Sequence, residues 1–340
     1  MSNIICGLHN RGNTCFLNTC IQLLINVDEL SHYIISNDYL VDLNNNFKEK
    51  KLKKTKDINI TYYYAELVKE MLNSKQKVID PSHFHQHVQK IDDTFSGFGQ
   101  QDTQEIMILL LDLLNDGVSY EIEMNYKGVI ENEHDKIMVE SIKYFKKTLH
   151  NKYSIVIDLF HGMFVNMVFH KKNNKVLSKT FECFNMLTLS LQGDSIYDML
   201  DHFFVNENLE EPYIDDKTKR KYEASRQIKL INAPKYLIIV VKKYNDNYRK
   251  INQTIEIPLN DLNMTKYCLG YDSFECIYDL VSVGCHVGNL NFGHYYSIVL
   301  KNNQWMEIND GSISEIDLSK QKNNIENNGY IYVYKKKHET

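Results

Sequence analysis

The first 150 residues repeat apolar positions with the period of a helix. Leu17, Ile21 and Leu24 share one face of a helix predicted over residues 15–30. Further helices are predicted over 61–73, from Pro81-Ser82 to about 92, and over 100–116. Residues 44–60 are rich in lysine and asparagine, which predicts a solvent-exposed loop. The first part of the chain is therefore expected to be mainly helical.

After about residue 150 the apolar positions follow the two-residue period of strands. Segments with this pattern are 154–170, 180–191, 222–231, 235–244, 253–259, 278–288, 293–310 and 329–335. Within 293–310, residues 301–304 are predicted to form the turn of a hairpin. Helices first and a mainly antiparallel sheet afterwards predict an α+β fold, because α/β folds alternate the two.

Composition narrows the class of protein. The 340 residues are 43% apolar and 24% charged, which is typical of a globular chain. A net charge of −5 argues against binding to nucleic acid through a broad basic surface. No apolar run reaches the length of a membrane span, and the N-terminus lacks the pattern of a signal peptide. We expect an intracellular protein, cytoplasmic or nuclear, without a membrane partner.

The cysteines favour neither disulfides nor a zinc site. There are seven, an odd number, and no two are spaced Cys-x-x-Cys. Most are expected to be buried small apolar residues.

Cys15 differs from the others in its surroundings. It stands in "NRGNTCFLNTC", between a polar turn and an apolar helix. At a helix start, unpaired N–H groups and the positive end of the dipole stabilise a thiolate. Gly12 permits an unusual turn, and Asn13 or Thr14 is expected to cap the helix. The alternative is a core position for Cys15, and the cysteine alone does not decide between them.

A thiolate nucleophile also needs a base, an acceptor that orients the base, and donors for the oxyanion. His294 precedes an alternating strand and is the candidate base, although it could be a histidine at a strand edge. Asn309 and Asp310 follow one hairpin later and could orient it, or could form a turn before Gly311. Asn10 is a candidate oxyanion donor, unless it only shapes the turn.

Taken together, these segments resemble the ubiquitin-specific proteases, a papain-like family of deubiquitinases. The matching segments are "GLHNRGNTCFLNTCIQLL" (7–24), "GFGQQDTQEIMILLLDLL" (97–114), "SIVIDLFHGMF" (154–164), "APKYLIIVVKKY" (233–244), "VGCHVGNLNFGHYYSIVLKNNQWMEIND" (283–310) and "GYIYVYKK" (329–336). Each segment alone is moderately specific, but all of them in this order are very specific.

The resemblance implies a single catalytic domain over 1–340, with a helical thumb, an antiparallel-sheet palm and β fingers. The thumb is expected over about 1–150, the fingers mostly over 154–235, and the palm with the histidine segment over 236–340. The implied activity is hydrolysis of the isopeptide or peptide bond after the last glycine of ubiquitin. Ubiquitin and ubiquitinated proteins are the implied partners, and we expect a monomer.

By resemblance, Cys15 is the nucleophile, His294 the base, Asn309 the third triad residue, Asp310 an assisting acid and Asn10 an oxyanion-hole residue. The same resemblance implies substrate-binding roles for Asp102, Gln101, Glu105, His286, Gly288, Gly293 and Tyr295. Asp102 is expected to grip an arginine of the ubiquitin tail, Arg-Leu-Arg-Gly-Gly, and a narrow channel to admit only glycine beside the scissile bond.

Two segments depart from the family pattern. Many members bind zinc in the fingers through two Cys-x-x-Cys pairs, but 169–175 and 211–224 contain no cysteine here. We therefore expect no metal and no cofactor. Ile106 stands where the family has an exposed Phe or Leu, and Val-Lys-Lys-Tyr (241–244) replaces the usual Leu-Lys-Arg-Phe.

The residues leave two other functions open. The chain could be a catalytically weak module that binds ubiquitin, or a protease for another modifier that ends in Gly-Gly.

Overall fold

The computed structural model describes residues 6–49, 55–97, 99–123, 125, 127–216, 218–244, 250–271, 276–289 and 292–337. Its helices are α1 Cys15–Ile25, α2 Asp28–Ile35, α3 Asp38–Glu49, α4 Thr55–Asn73, α5 Ser82–Ile91, α6 Thr103–Val118, α7 Glu133–Thr148, α8 Ile155–Phe160, α9 Ile196–Phe203 and α10 Leu318–Asn328.

The strands are mostly in the second half of the chain. They are β1 Gly7–Leu8, β2 Val78–Ile79, β3 Tyr120–Glu121, β4 Lys152–Tyr153, β5 Gly162–His170, β6 Val176–Phe184, β7 Leu187–Ser190, β8 Asn206–Asn208, β9 Tyr213–Ile214, β10 Lys221–Tyr222, β11 Ala224–Asn232, β12 Tyr236–Lys242, β13 Leu262–Asn263, β14 Ile277–Gly288, β15 Gly293–Lys301, β16 Gln304–Asn309, β17 Ser312–Ile316 and β18 Gly329–Lys336.

Helix α1 is the central helix of the molecule. All of its residues are buried, including Asn18 and Gln22, because it lies between helices α2 and α6 on one side and the large sheet on the other. Leu17 and Ile21 are fully buried in the main core cluster, which joins the helices to this sheet. A helix surrounded in this way must be apolar on nearly every face. Its first residue, Cys15, is thereby held in a rigid setting.

An eight-stranded sheet forms the second layer. Its order is β17-β16-β15-β14-β18-β12-β7, and β13 pairs with β14 outside this path. All pairs are antiparallel except β12 with β7. The predicted turn between β15 and β16 is confirmed, since Lys301 pairs with Gln304. Asn302 and Asn303 have positive φ angles of 50° and 62°, as a two-residue hairpin turn requires.

A four-stranded sheet, ordered β6-β5-β11-β8, forms the third part. It has a small core of its own, in which Val165 and Met167 pack with Ile137 of α7 and Ile231. Phe169 and Phe181 pack against this cluster. At the end of the sheet, the ring of Tyr222 lies 5.4 Å from that of His170.

Three local predictions were wrong. Residues 155–160 form helix α8 and not a strand, because Ser154 caps it by accepting a hydrogen bond from the amide of Ile157 at 3.1 Å. Residues 44–60 are largely helical, in α3 and α4, although residues 50–54 lie outside the described part. Residues 253–259 form only an isolated bridge at Glu256.

The expected α+β architecture is confirmed. The helical layer corresponds to the thumb, the eight-stranded sheet to the palm and the four-stranded sheet to the fingers. None of the helices in the described part is both long enough and apolar enough to span a bilayer.

Candidate active site

The loop that precedes Cys15 wraps around the side chain of Asn10. Oδ1 of Asn10 accepts hydrogen bonds from the amides of Gly12 at 3.0 Å and Thr14 at 3.2 Å. Gly12 and Asn13 both have positive φ angles, 102° and 54°, which the tight turn requires. This turn delivers the chain into α1 with Cys15 as its first residue.

The start of α1 carries no side-chain cap. Thr14 is at the cap position, but its hydroxyl accepts from the amide of Arg11 at 3.1 Å and makes no bond to the first helical turn. The predicted capping by Thr14 was therefore wrong. The N–H groups of the first turn are left for another acceptor, and an oxyanion beside Cys15 is a suitable one.

His294 and Asn309 meet across the β15–β16 hairpin. Nε2 of His294 lies 2.7 Å from Oδ1 of Asn309, so this nitrogen carries the proton and donates it to the amide oxygen. The other ring nitrogen, Nδ1, is then left for the thiol of Cys15, whose interaction with the imidazole raises the pKa of His294. Cys15 is 2% exposed, whereas the His294 side chain is 35% exposed.

The contacts of His294 favour its charged form. The interaction with Cys15 raises the pKa of His294 to about 9, with further contributions from Asn309 and from the charge of Asp310. Burial opposes this change but is outweighed. A protonated imidazole at neutral pH is suited to stabilise a neighbouring thiolate and to protonate a leaving amine.

Asp310 contacts the nucleophile loop more closely than it contacts His294. Its Oδ2 lies 3.9 Å from Nε2 of His294, beyond hydrogen-bond distance. The same oxygen accepts from Nδ2 of Asn10 at 3.0 Å, and Oδ1 accepts from Nδ2 of Asn18 at 2.7 Å. Its backbone carbonyl accepts from the amide of Leu8 at 3.0 Å. Asp310 therefore joins the β15–β16 hairpin, here called the histidine hairpin because it carries His294, to β1 and α1.

Asn10 keeps one donor for substrate. Its amide nitrogen has two protons, and one is donated to Asp310. The orientation of the amide is fixed, because Oδ1 accepts from the two loop amides. This geometry is compatible with the oxyanion role expected from the sequence.

Asp102 caps α6 and is held by a tyrosine. Its carboxylate accepts from the amide of Gln104 at 2.6 Å and from the hydroxyl of Tyr330 at 2.7 Å. Burial raises the pKa of Asp102, although both hydrogen bonds oppose this. Gln101 is half-buried next to it. Glu105 is exposed, and its pKa is raised by desolvation and then by the charge of Asp102.

His286, Gly293 and Tyr295 lie together at the β14–β15 end. The rings of His286 and Tyr295 are 4.4 Å apart, and both residues are buried. A Cβ atom at Gly293 would clash with Nε2 of His286, so only glycine fits there. Gly288, with φ of 92°, pairs with Gly293 across the strands. Burial lowers the pKa of His286 to about 4.

Sequence reasoning did not identify three neighbours of these residues. They are Asn18, which holds Asp310; Tyr330, which holds Asp102; and Tyr244, whose hydroxyl lies 3.1 Å from Nδ1 of His286. A polar residue one turn after Cys15 in an apolar helix was a usable signal for Asn18. Ile106 is fully buried.

No group of three or more metal-ligating side chains occurs in the part of the chain that the structure describes. At the fingertip, Nδ1 of His170 accepts instead from the amide of Lys172 at 3.1 Å. The absence of zinc from the fingers stays a prediction.

The sequence pattern of the ubiquitin carboxyl-terminal hydrolase family matches residues 6–334. The chain belongs to this family. Ubiquitin carboxyl-terminal hydrolase Usp2 of Drosophila melanogaster is 26% identical over 342 residues, covering 98% of this chain. Ubiquitin carboxyl-terminal hydrolase 15 of Homo sapiens is 34% identical over 189 residues, covering 55% of it. The chain spans only 35% of the fly relative and 18% of the human one.

Solved structures share this fold. The SAGA DUB module Ubp8/Sgf11/Sus1/Sgf73, with a substituted Ubp8 and bound to monoubiquitin, matches with a TM-score of 0.74 and 20% identity, covering 100% of this chain and 71% of that chain. The same module bound to ubiquitin aldehyde matches with a TM-score of 0.73 and 20% identity, covering 99% and 70%.

Proposed function

We propose that this chain is a thiol-dependent deubiquitinase that hydrolyses the isopeptide or peptide bond after the C-terminal glycine of ubiquitin. The observation that carries the proposal is that Cys15, at the uncapped start of a buried helix, interacts with His294, which is itself hydrogen-bonded to Asn309. Family membership indicates the class of bond and of substrate.

In the first half of the reaction the thiolate of Cys15 attacks the carbonyl carbon of the terminal glycine. The carbonyl oxygen becomes an oxyanion, which accepts hydrogen bonds from the remaining N–H of Asn10 and from the first turn of α1. His294 then gives its proton to the leaving amine as the C–N bond breaks. The products are a free lysine amine, or an α-amine, and a thioester on Cys15.

In the second half, neutral His294 takes a proton from water, which attacks the thioester carbon. A second oxyanion forms in the same place and collapses with loss of the thiolate. The products are the free carboxylate of ubiquitin and the regenerated thiolate–imidazolium pair. Asn309 keeps one proton on Nε2 throughout, so that Nδ1 alone exchanges protons with the thiol and the substrate.

Two features support ubiquitin as the substrate. A cavity of about 470 Å³ lies between the fingers and the palm, lined by Phe164, Phe181, Phe184, Phe203 and Arg226 among others, and it offers a face for the folded body of ubiquitin. His286, Gly293 and Tyr295 lie together next to His294, and in this proposal they line a narrow channel, which suits a substrate that ends in two glycines. In this proposal Asp102 and Glu105 supply negative charge for the arginines of the tail.

The wider parts of the proposal rest on the sequence. The chain is proposed to act on ubiquitinated proteins as a monomer in the cytoplasm or nucleus. It is proposed to bind neither nucleic acid nor a membrane.

A panel of modifier–fluorophore substrates tests the function. We expect hydrolysis of ubiquitin–aminomethylcoumarin and little or none of related modifiers. Cys15→Ser should abolish turnover and keep ubiquitin binding, while Cys20→Ser serves as the matched control in the same helix. Burial raises the pKa of Cys20 well above that of an ordinary thiol, so it is unsuited to act as a nucleophile.

The other two functions are outcomes of the same panel. Binding of ubiquitin without turnover by the wild-type chain would favour a binding module. Preferential hydrolysis of another substrate that ends in Gly-Gly would favour a different modifier.

A further inference from the structure

The loop of Asn10 is exposed, although it carries a proposed oxyanion donor. His9, Asn10, Arg11, Gly12 and Asn13 are all exposed, and the last two have positive φ angles. Oxyanion donors are effective only within about 0.5 Å of their correct position. Contacts outside the loop must therefore fix it.

One side of this segment is tied to the histidine hairpin. The amide of Leu8 donates to the carbonyl of Asp310, and the side chain of Asn10 donates to its carboxylate. The opposite side is tied to β2, which pairs with β1 in parallel as Gly7 with Val78 and Leu8 with Ile79. The amide of His9 continues this pairing by donating to the carbonyl of Ile79 at 2.8 Å.

Arg11 extends the attachment to β2 beyond the paired strands. Its guanidinium donates two hydrogen bonds to the carboxylate of Asp80, from Nε at 3.2 Å and from Nη2 at 2.5 Å. Asp80 directly follows β2, so this pair is the next link after Leu8–Ile79 and His9–Ile79. A bidentate arginine–carboxylate pair fixes orientation as well as distance.

Asp80 is itself held in place. Its Oδ1 accepts from the amide and the hydroxyl of Ser82, at the start of α5. The hydrogen bond from Arg11 holds the pKa of Asp80 well below its usual range, so the carboxylate stays charged at every pH relevant to catalysis. The arginine is therefore joined to a fixed anchor and not to a mobile side chain.

We propose that Arg11 and Asp80 form a clamp that positions the oxyanion loop for catalysis, and that Arg11 is a positioning residue rather than a substrate contact. The proposal rests on the proposed hydrolase function. The two side chains are 53% and 43% exposed, and ion pairs this exposed contribute little to global stability. Loss of the clamp should change the position of Asn10 without unfolding the chain.

The test separates three properties of the pair: the charge of Arg11, the bidentate geometry of its guanidinium, and the carboxylate of Asp80. Arg11→Gln removes the charge, Arg11→Lys keeps the charge but not the fork, and Asp80→Asn keeps an amide oxygen that can still accept from Ser82. Lys266→Gln is the matched control, because Lys266 and Asp201 form a pair at 2.6 Å with side chains 55% and 56% exposed.

We expect Arg11→Gln and Asp80→Asn each to lower kcat on ubiquitin–aminomethylcoumarin by about threefold to tenfold. KM and the melting temperature should stay unchanged, and the double variant should be no worse than either single one. Arg11→Lys should fall between wild type and Arg11→Gln, and Lys266→Gln should match wild type.

A second measurement does not depend on activity. Amide hydrogen exchange at Gly12 and Thr14 should be faster in Arg11→Gln and Asp80→Asn than in wild type or Lys266→Gln. Unchanged kcat with unchanged exchange would overturn the clamp, and a rise in KM alone would make Arg11 a substrate contact. If wild type cleaves no modifier, the proposed function fails, and the exchange comparison still decides the clamp.

Discussion

The side-chain amide of Asn10 donates a hydrogen bond to the carboxylate of Asp310 at 3.0 Å, across 300 residues of sequence. The same carboxylate is 3.9 Å from the imidazole of His294, which is instead paired with Asn309. Asn309 and Asp310 are adjacent in sequence, but Asn309 is hydrogen-bonded to His294, whereas Asp310 is hydrogen-bonded to the loop of Asn10 and acts on His294 only through its charge.

Replacement of these two residues should therefore have separable effects. We expect Asn309→Ala and Asp310→Ala each to lower kcat by ~10-fold to ~100-fold, because each misplaces one catalytic group. Their losses should combine additively in the double variant, as measured with ubiquitin–aminomethylcoumarin. A double variant no worse than the weaker single variant would mean that both residues serve His294 after all.

The activity should decline at alkaline pH as His294 loses its proton. Since the pKa of His294 is raised to about 9, kcat/KM should fall as the pH rises through about 9. The hydrogen bond with Asn309 contributes to this elevation, so Asn309→Ala should move the alkaline limb to lower pH. If kcat/KM of Asn309→Ala falls at the same alkaline pH as in wild type, a group other than His294 causes the fall.

Stability should decrease in acid because His286 is buried in its neutral form. Its pKa is lowered to about 4 from 6.5, so between these values the unfolded state binds more protons than the folded one. The contribution is complete above about pH 6.5 and is lost as the pH falls toward 4. This contribution of His286 to the free energy of unfolding is at most about 3 kcal/mol.

Denaturant unfolding at a series of pH values checks this, with His286→Gln as the variant. The variant should show a shallower loss of stability between pH 6.5 and 4. An unchanged slope would show that other groups cause the acid sensitivity.

A methyl group at Gly293 should impair the site. It would clash with Nε2 of His286 and meet the carbonyl of Asn289 at 2.7 Å, so both the strand end and His294 must shift. We expect Gly293→Ala to lose about 1–3 kcal/mol of stability and most of its activity. Gly99→Ala is the control, since its nearest neighbour is 3.5 Å away, and it should behave as wild type.

The fingers should fold without zinc. Strand pairing and the cluster around Val165 and Met167 hold this sheet, and no paired thiolates lie near it in the sequence. Purified protein should contain no stoichiometric zinc, and a chelator should change neither its melting temperature nor its cleavage of ubiquitin. One tightly bound zinc per chain, with unfolding on its removal, would contradict this.

The grouping of Cys15, His294 and Asn309 could be predicted because their neighbours in sequence are informative. The polar turn before Cys15 and the hairpin spacing between His294 and Asn309 are local features, and the structure brings all three side chains together. The contacts of Asp310 with Asn10 and Asn18 could not be predicted, because they depend on how β1 and α1 meet the palm.

Two of the wrong secondary-structure predictions have different causes. Residues 154–170 form one apolar run, so periodicity alone could not show that a short helix, α8, precedes β5. Residues 44–60 are polar enough for a loop, yet Leu43 and Ile60 are buried and α3 and α4 pack on the helical core. In residues 44–60, tertiary contacts outweighed local preference.

The attachment of Asp310 to Leu8, Asn10 and Asn18 has a consequence for biosynthesis. The ribosome adds His294 and Asp310 almost 300 residues after Asn10 and Cys15. A nascent chain that ends between them contains the thiol without its partners. Contacts so distant in sequence form late in folding, so the proposed site cannot assemble until translation has passed the β15–β16 hairpin.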